Sequence, residues 1–214
     1  MIKEIEIKSI GYEDLIETIY FGGGTPSLLS IIEIDSLIKA VIDNFKISKK
    51  PEITLEANPD DLNTSKLKEL SNSLINRLSI GIQSFNDQDL KLMNRSHNSF
   101  DSIKCIDNSL KYFDNISIDL IYGMPNSNLI SWEKNLNLAL NWDLNHISAY
   151  ALTVEPKTAL EKYIKKEIIL PLDEEFVYDQ FNLMYDKLLD LNYINYELSS
   201  FAKKGYFSKN NSGY

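Results

Sequence analysis

Residues 16–29 read IETIYFGGGTPSLL, a run of β-branched and aromatic residues that passes through three glycines into a Thr-Pro pair. Such a run predicts a strand, and the glycines and proline predict a turn directly after it. Residues 30–45 follow with apolar side chains at helical spacing, among them Ile32, Leu37 and Ile42. A strand, a turn and a helix in this order form the first half of a βαβ unit. The segment therefore predicts a parallel sheet covered by helices.

The same alternation continues along the chain. The strand-like runs start about 25 to 40 residues apart, which is the size of a βα unit. No Gly-x-Gly-x-x-Gly turn follows the first strand, so a dinucleotide-binding fold has little support. A full or partial (β/α) barrel of the α/β class fits better. The further predicted strands are residues 53–57, 77–84, 115–122 and 146–152, and the further helices are 64–75, 99–113, 129–142 and 173–191.

Polar residues recur where the predicted strands end. The first strand leads into the glycine turn and Thr25, the second ends at Glu56, the third ends at Gln83, and the fourth carries Asp119. Ligands of parallel barrels bind at this end of the strands, so we expect these residues to converge on one pocket. Carboxylates and an amide suit ribose hydroxyls and an ammonium group, and Arg95 beyond the third strand suits a carboxylate.

Each of these residues also has a simpler interpretation. Three consecutive glycines often form a flexible loop. Glu56 and Asp119 also suit exposed loop carboxylates or helix caps. Gln83 suits a satisfied polar residue at a strand end, and Arg95 suits a surface ion pair of little energetic value. Their recurrence at successive strand ends is what favours a binding site.

Composition narrows the class of protein. The 214 residues are 43% hydrophobic and 25% charged, as in ordinary globular domains, and the net charge is −9. The densest basic stretch, Lys162 to Lys166, is flanked by glutamates and predicts a solvated helix face rather than a nucleic-acid site. No apolar run is long enough to cross a bilayer, so we expect no transmembrane segment and a cytoplasmic location.

Six segments, in order, resemble successive motifs of one family, that of the HemW-like heme chaperones and oxygen-independent coproporphyrinogen III oxidases of the radical S-adenosylmethionine (SAM) superfamily. The first and the last of these six segments resemble the heme chaperones more closely than the oxidases. The segments are YFGGGTPSLL (20–29), LEANPDDL (55–62), INRLSIGIQSFND (75–87), LKLMNRSH (90–97), ISIDLIYGMP (116–125) and HISAYALTVEP (146–156).

The resemblance implies a partial radical-SAM barrel in residues 1–170, lacking its first strand, and the start of a small C-terminal domain in residues 171–214. It also implies SAM as the cofactor, with Ala151 as a weaker backbone contact to the adenine. The remaining SAM contacts that it implies are Gly23, Gly24, Thr25, Glu56, Gln83, Arg95 and Asp119.

The sequence departs from the family pattern at both ends. The family carries a CxxxCxxC motif upstream of the glycine turn, whose thiolates hold a 4Fe–4S cluster. The single cysteine here, Cys105, lies in a helix-like segment and is expected to be buried. The cluster ligands are therefore absent, and we expect an upstream-encoded segment to supply them. Asn210 stands where the family's HNxxYW motif has a candidate heme-ligating histidine, and only His97 and His146 remain as imidazoles.

Three functions are compatible with the resemblance. The first is a HemW-like protein that binds SAM and handles heme or porphyrin. The second is an oxygen-independent coproporphyrinogen III oxidase, which forms protoporphyrinogen IX by oxidative decarboxylation. The third is a non-functional gene remnant or a non-catalytic binding module. Because the cluster ligands are absent, we expect no enzymatic activity from this chain alone.

Overall fold

A computed structural model of the chain describes residues 1–125, 127–171 and 173–213. Hydrogen bonding joins the strands of this part in the order β1-β2-β3-β4-β5-β7-β6. The five strands predicted from the sequence are all present, and two further short strands follow near the C-terminus. The strands are β1 (Ile16–Phe21), β2 (Ile47–Ala57), β3 (Arg77–Gln83), β4 (Ile116–Tyr122), β5 (His146–Ala151), β6 (Ile194–Glu197) and β7 (Ser200–Ala202).

Helices connect the strands as the alternating pattern predicts. Two 3₁₀ turns, Pro26–Leu28 and Pro59–Asp61, follow β1 and β2. The helices are α1 (Ile2–Lys8), α2 (Ile31–Asn44), α3 (Thr64–Ser71), α4 (Asp87–Leu92), α5 (Ser99–Ser109), α6 (Leu129–Leu140), α7 (Ala159–Lys165), α8 (Glu174–Asp190) and α9 (Lys209–Ser212).

The chain divides into two compact units. Unit 1 contains Met1–Gly81, Lys104–Ser117 and the residues from Ser208 onward, and unit 2 contains Ile82–Ile103 and Ile118–Phe207. In unit 1, β1 pairs with β2 and β2 with β3, all parallel. In unit 2, β7 pairs antiparallel with both β5 and β6. The division at residue 170 stays a prediction.

Helix α2 shows how the sequence sets the local structure of unit 1. Ser30 and Glu33 form a capping box at its N-terminus, which satisfies two backbone N–H groups that the helix itself leaves unpaired. Ile34 and Ile38 are fully buried, but Ile32 is 79% exposed. The predicted apolar stripe was therefore wrong at Ile32, because a residue two positions before Ile34 lies about 200° around the helix. It was also wrong at Ile42, which is 43% exposed in the last turn of the helix.

Helix α8 supplies much of the interior of unit 2. Asp173 caps its N-terminus by accepting from the backbone N–H groups of Glu175 and Phe176. Met184 and Leu188 are fully buried, as the predicted amphipathic pattern requires. Gln180 is buried one turn before Met184 on the same helix, and its polar groups bind the turn after β4. The helix thus packs the core and holds a loop at a strand end.

Candidate functional site

In unit 1, the glycine turn after β1 depends on left-handed backbone. Gly23 has φ +76° and Gly24 has φ +63°, a region that residues with a Cβ atom rarely adopt. Both glycines are exposed, and Thr25 beside them is half-buried. The turn therefore presents backbone amides and carbonyls that a ligand can approach closely.

The Glu56 carboxylate lies directly against this turn. Tyr20 donates its hydroxyl proton to Glu56 Oε1 over 2.8 Å, and the N–H of Gly23 donates to Glu56 Oε2 over 3.2 Å. A Cβ atom on Gly22 would lie 2.9 Å from the Tyr20 ring and 3.1 Å from Glu56 Oε1. A residue larger than glycine at position 22 would therefore displace the tyrosine or the carboxylate.

A second contact fixes the turn to the loop after β2. The buried Ser27 donates its hydroxyl proton to Asp61 Oδ2 over 2.6 Å and accepts from the N–H of Asn58 over 3.4 Å. Lys66 reaches back from α3 to the carbonyl of Leu29. The glycine turn and the loop after Glu56 are thus held together at two points.

In unit 2, Gln83 and Arg95 line one cavity of about 380 Å³. Ile121 and Met124 also line this cavity, so it has an apolar part and a polar part. Asp119 lies two residues before Ile121 on β4, on the same face of the strand. The cavity therefore has an amide and a guanidinium in its lining, and the strand that supplies Ile121 carries a carboxylate on the same face.

The turn after β4 is held by Gln180 from α8. Gln180 Oε1 accepts from the N–H of Gly123 over 2.7 Å, and Nε2 donates to Ser127 Oγ over 2.9 Å. Its backbone carbonyl accepts from Trp132 Nε1 over 2.9 Å. The sequence did not reveal this role, because Gln180 lies more than fifty residues beyond the turn that it binds.

Ala151 lies elsewhere in unit 2. It is exposed and lines a separate cavity of about 650 Å³ together with Tyr150 and Tyr196. Its neighbour Leu152 lines the cavity of Gln83 and Arg95. The N–H of Leu152 donates to the carbonyl of Tyr122 over 2.8 Å. Ala151 as a backbone contact to the adenine stays a prediction.

The two histidines are buried in hydrogen-bonded positions. His97 is 4% exposed, and its Nε2 lies 3.2 Å from the carbonyl of Ile82. His146 is fully buried, and its Nε2 lies 2.7 Å from the Tyr196 hydroxyl. Both rings therefore hold protein structure.

The residues of this chain do not fit a 4Fe–4S cluster. Cys105 is the only cysteine of the sequence, and burial raises the pKa of its thiol to about 12. A neutral, buried thiol on α5 is a poor ligand, because metals bind the thiolate. Among residues 1–125, 127–171 and 173–213, no group of three His, Cys, Asp or Glu side chains is arranged to hold a metal ion.

In the part of the chain that the structure describes, no helix combines the length and apolar character needed to cross a membrane.

Known proteins with similar sequences include heme chaperones. The chain is 40% identical over 202 residues to the heme chaperone HemW of Buchnera aphidicola subsp. Acyrthosiphon pisum, covering 93% of this chain and 52% of the relative. It is 37% identical over 211 residues to the heme chaperone HemW of Bacillus subtilis, covering 97% and 55%. The chain thus spans about half the length of these curated relatives.

The fold matches a solved radical SAM enzyme. Coproporphyrinogen III oxidase (HemN) of Escherichia coli superposes with a TM-score of 0.82 at 25% identity, covering 95% of this chain and 47% of the enzyme. The predicted α/β fold of the radical-SAM partial-barrel type is therefore confirmed, as is the resemblance to heme chaperones and coproporphyrinogen oxidases. The sequence model of the Radical SAM superfamily matches residues 3–139, and the chain belongs to that superfamily.

Proposed function

We propose that this chain binds SAM and forms part of a protein that handles heme or porphyrin. One observation carries the binding proposal: the Glu56 carboxylate is held by Tyr20 and Gly23 against an open glycine turn. A carboxylate fixed by two donors keeps lone pairs for a cationic or hydroxyl-bearing ligand. SAM offers both an ammonium group and ribose hydroxyls.

Groups that suit SAM occur in each of the two units. In unit 1, Gly23, Gly24 and Thr25 offer backbone and hydroxyl groups beside Glu56 for the polar amino-acid end. In unit 2, Arg95 suits the SAM carboxylate and Gln83 suits the ribose, because guanidinium and amide groups bind these partners well.

The adenine suits the apolar side of the unit 2 cavity, where Ile121 and Leu152 lie, and Asp119 suits a ribose hydroxyl. The proposal stops at binding, since the chain has no thiolates for the cluster that reduces SAM in the family.

The Glu56→Gln substitution tests the binding proposal. Glutamine keeps the shape, and the Tyr20 hydroxyl can accept from its amide, so both contacts of residue 56 survive while the charge is lost. We expect SAM binding, measured by isothermal titration calorimetry, to weaken about tenfold or more, since hydrogen bonds to charged groups contribute about 1.5–3 kcal/mol. Glu17→Gln, an exposed residue of β1, is the control and should bind as the parent does.

Two results would contradict the binding proposal. One is that the parent chain shows no SAM binding up to about 1 mM, an affinity equivalent to about 4 kcal/mol. The other is that Glu56→Gln and Glu17→Gln weaken binding equally, because a specific contact requires that only the first does so.

The heme part of the proposal is supported by the HemW relatives rather than by a histidine ligand. Hemin titration tests it: we expect a saturable shift of the Soret band at one equivalent per chain. Because His97 and His146 are buried, we expect the single changes of each to alanine to leave the bound spectrum unchanged where the variant folds. Soret changes that grow linearly without saturation would contradict specific binding.

The match to the HemN fold favours the oxidase as the second function. The oxidase and the heme chaperone can be distinguished by anaerobic incubation of coproporphyrinogen III with a longer form of the protein that carries the cluster. Formation of protoporphyrinogen IX would favour the oxidase, and hemin binding without turnover would favour the heme chaperone. A cytoplasmic location remains part of the proposal.

A further inference from the structure

Strand β3 ends in a strained turn in unit 2. Gln83 has φ +65°, and the N–H of Ser84 donates to the carbonyl of Ile82 over 2.8 Å. An i to i+2 hydrogen bond around a residue of positive φ is a γ-turn of the rare, strained kind. Glutamine gains nothing from this conformation, as glycine would, so neighbouring groups must hold it there.

Asn135 of α6 is the residue that reaches this turn from outside. Its Oδ1 accepts from the N–H of Phe85 over 2.6 Å, and its Nδ2 donates to Ser84 Oγ over 3.2 Å. Asn135 is 7% exposed and lies fifty residues beyond Phe85. One amide therefore binds both residues that follow Gln83.

Ser84 is the centre of the surrounding hydrogen bonds. Its side chain is fully buried, and its hydroxyl donates to Asp89 Oδ2 over 2.9 Å while accepting from Asn135 and from the N–H of Asn86. His97 Nε2 lies 3.2 Å from the carbonyl of Ile82 on the other side of the turn. A hydroxyl with one donated and two accepted bonds has no capacity left, so its position is fixed.

We propose that Asn135 is a positioning residue: it holds the γ-turn and thereby keeps the Gln83 side chain in the cavity that Arg95 also lines. The importance of this role for binding rests on the proposed function, the binding of SAM. Successive side chains of a strand point to opposite faces. If the turn relaxes to extended backbone, the Gln83 side chain leaves its present direction. Asn135 is not one of the residues that line the cavity, so its proposed effect passes through Gln83.

The backbone of Gln83 gives a direct test that needs no ligand. A residue of positive φ shows a strong intraresidue NOE between its amide and α protons. We expect a strong NOE at Gln83 in the parent and a several-fold weaker one in Asn135→Leu, which removes both hydrogen bonds at similar size. Asn137→Leu is the matched control, since Asn137 is exposed on the same helix and its amide oxygen accepts from Lys187.

Asn135→Asp is the second variant, for the case that Asn135→Leu does not fold. It keeps the acceptor for Phe85 and loses the donor to Ser84, so the NOE should weaken less than in Asn135→Leu. An NOE of parental strength in the folded Asn135 variants would overturn the proposal, whether or not SAM binds.

The binding readout separates positioning from general structural support. We expect Asn135→Leu to weaken SAM binding about as much as Gln83→Ala does, and the double variant to lose no more than either single one. A residue that acts only through Gln83 has no effect once that side chain is gone. Additive losses in the double variant would show that Asn135 acts independently of Gln83 and would overturn the positioning role. If the parent does not bind SAM, the proposed function fails while the NOE still decides the role of Asn135.

Discussion

Two of the three consecutive glycines of unit 1 are needed for different physical reasons. Alanine substitutions should distinguish a steric reason from a conformational one. A Cβ at position 22 would meet the Tyr20 ring atoms at 2.9 and 3.1 Å and Glu56 Oε1 at 3.1 Å. A Cβ at position 24 would meet nothing within 4 Å, but its backbone has φ +63°. Gly22→Ala therefore introduces a steric clash, whereas Gly24→Ala introduces backbone strain.

The magnitudes follow from these two causes. Overpacking costs about 1–3 kcal/mol, and an alanine in left-handed backbone costs about 1–2 kcal/mol. Each alanine also stabilises the protein by about 0.4–1 kcal/mol through the unfolded chain, where it has fewer conformations than glycine. We expect net losses in the free energy of unfolding of about 1–2 kcal/mol for Gly22→Ala and about 0.5–1 kcal/mol for Gly24→Ala.

Urea unfolding followed by circular dichroism, with Tyr20→Val as a second background, measures both losses. Valine removes the ring atoms at 2.9 and 3.1 Å, so the cost of Gly22→Ala should fall by about half or more. The cost of Gly24→Ala should stay the same, because that position touches no side chain. Equal costs of Gly22→Ala with and without the Tyr20 ring would refute the steric explanation.

Three further outcomes are expected. The Cys105 thiol, whose pKa burial raises to about 12 from 9.0, should react with a disulfide reagent at pH 8 about a thousandfold more slowly in the folded than in the urea-unfolded chain; similar rates would contradict its burial. Burial raises the pKa of Asp89, so ionisation weakens the fold as pH rises above 3.8; Asp89→Asn should therefore stabilise the chain more at pH 7 than at pH 3.5, as judged by urea midpoints. Tyr193→Phe leaves the buried carbonyl of Leu144 without its donor and should lower the free energy of unfolding by about 1–3 kcal/mol; a loss under about 0.5 kcal/mol would contradict that contact.

The sequence predicted the strands and most of the helices because their signals are local. The run before the glycine turn became β1 with the predicted bounds, and residues 129–142 became α6 with its last turn shortened. The helix predicted over residues 64–75 begins at Thr64 as predicted but ends at Ser71, and Asn63 caps its N-terminus. Periodicity finds an element more easily than it finds the residue on which the element begins or the face that it buries.

The residues of the candidate site at the strand ends could be predicted from the sequence, but the residues that hold them in place could not. Glu56 and Gln83 could be found because parallel strands place their last residues where ligands bind. The residues that hold them in place could not be found, because they come close only after folding. Tyr20 lies 36 residues from Glu56, and Asn135, which binds the turn after Gln83, lies 50 residues from Phe85. The positive φ of Gln83 has no signal in the sequence either, since glutamine is not a residue that favours left-handed backbone.

Two side chains that hold the strand-end loops of unit 2 are neutral amides, which matters for the binding of a charged ligand. Asn135 and Gln180 come from different helices, and each binds a backbone N–H and a serine hydroxyl in a loop at a strand end. An amide can accept and donate at once without carrying charge. A carboxylate or ammonium in either place would add a buried charge near the cavity of Arg95, where it would need a partner of its own. The two amides add no charge of their own to these loops, and the carboxylate of Asp89, which accepts from Ser84, is a charged group that helps to hold the first of them.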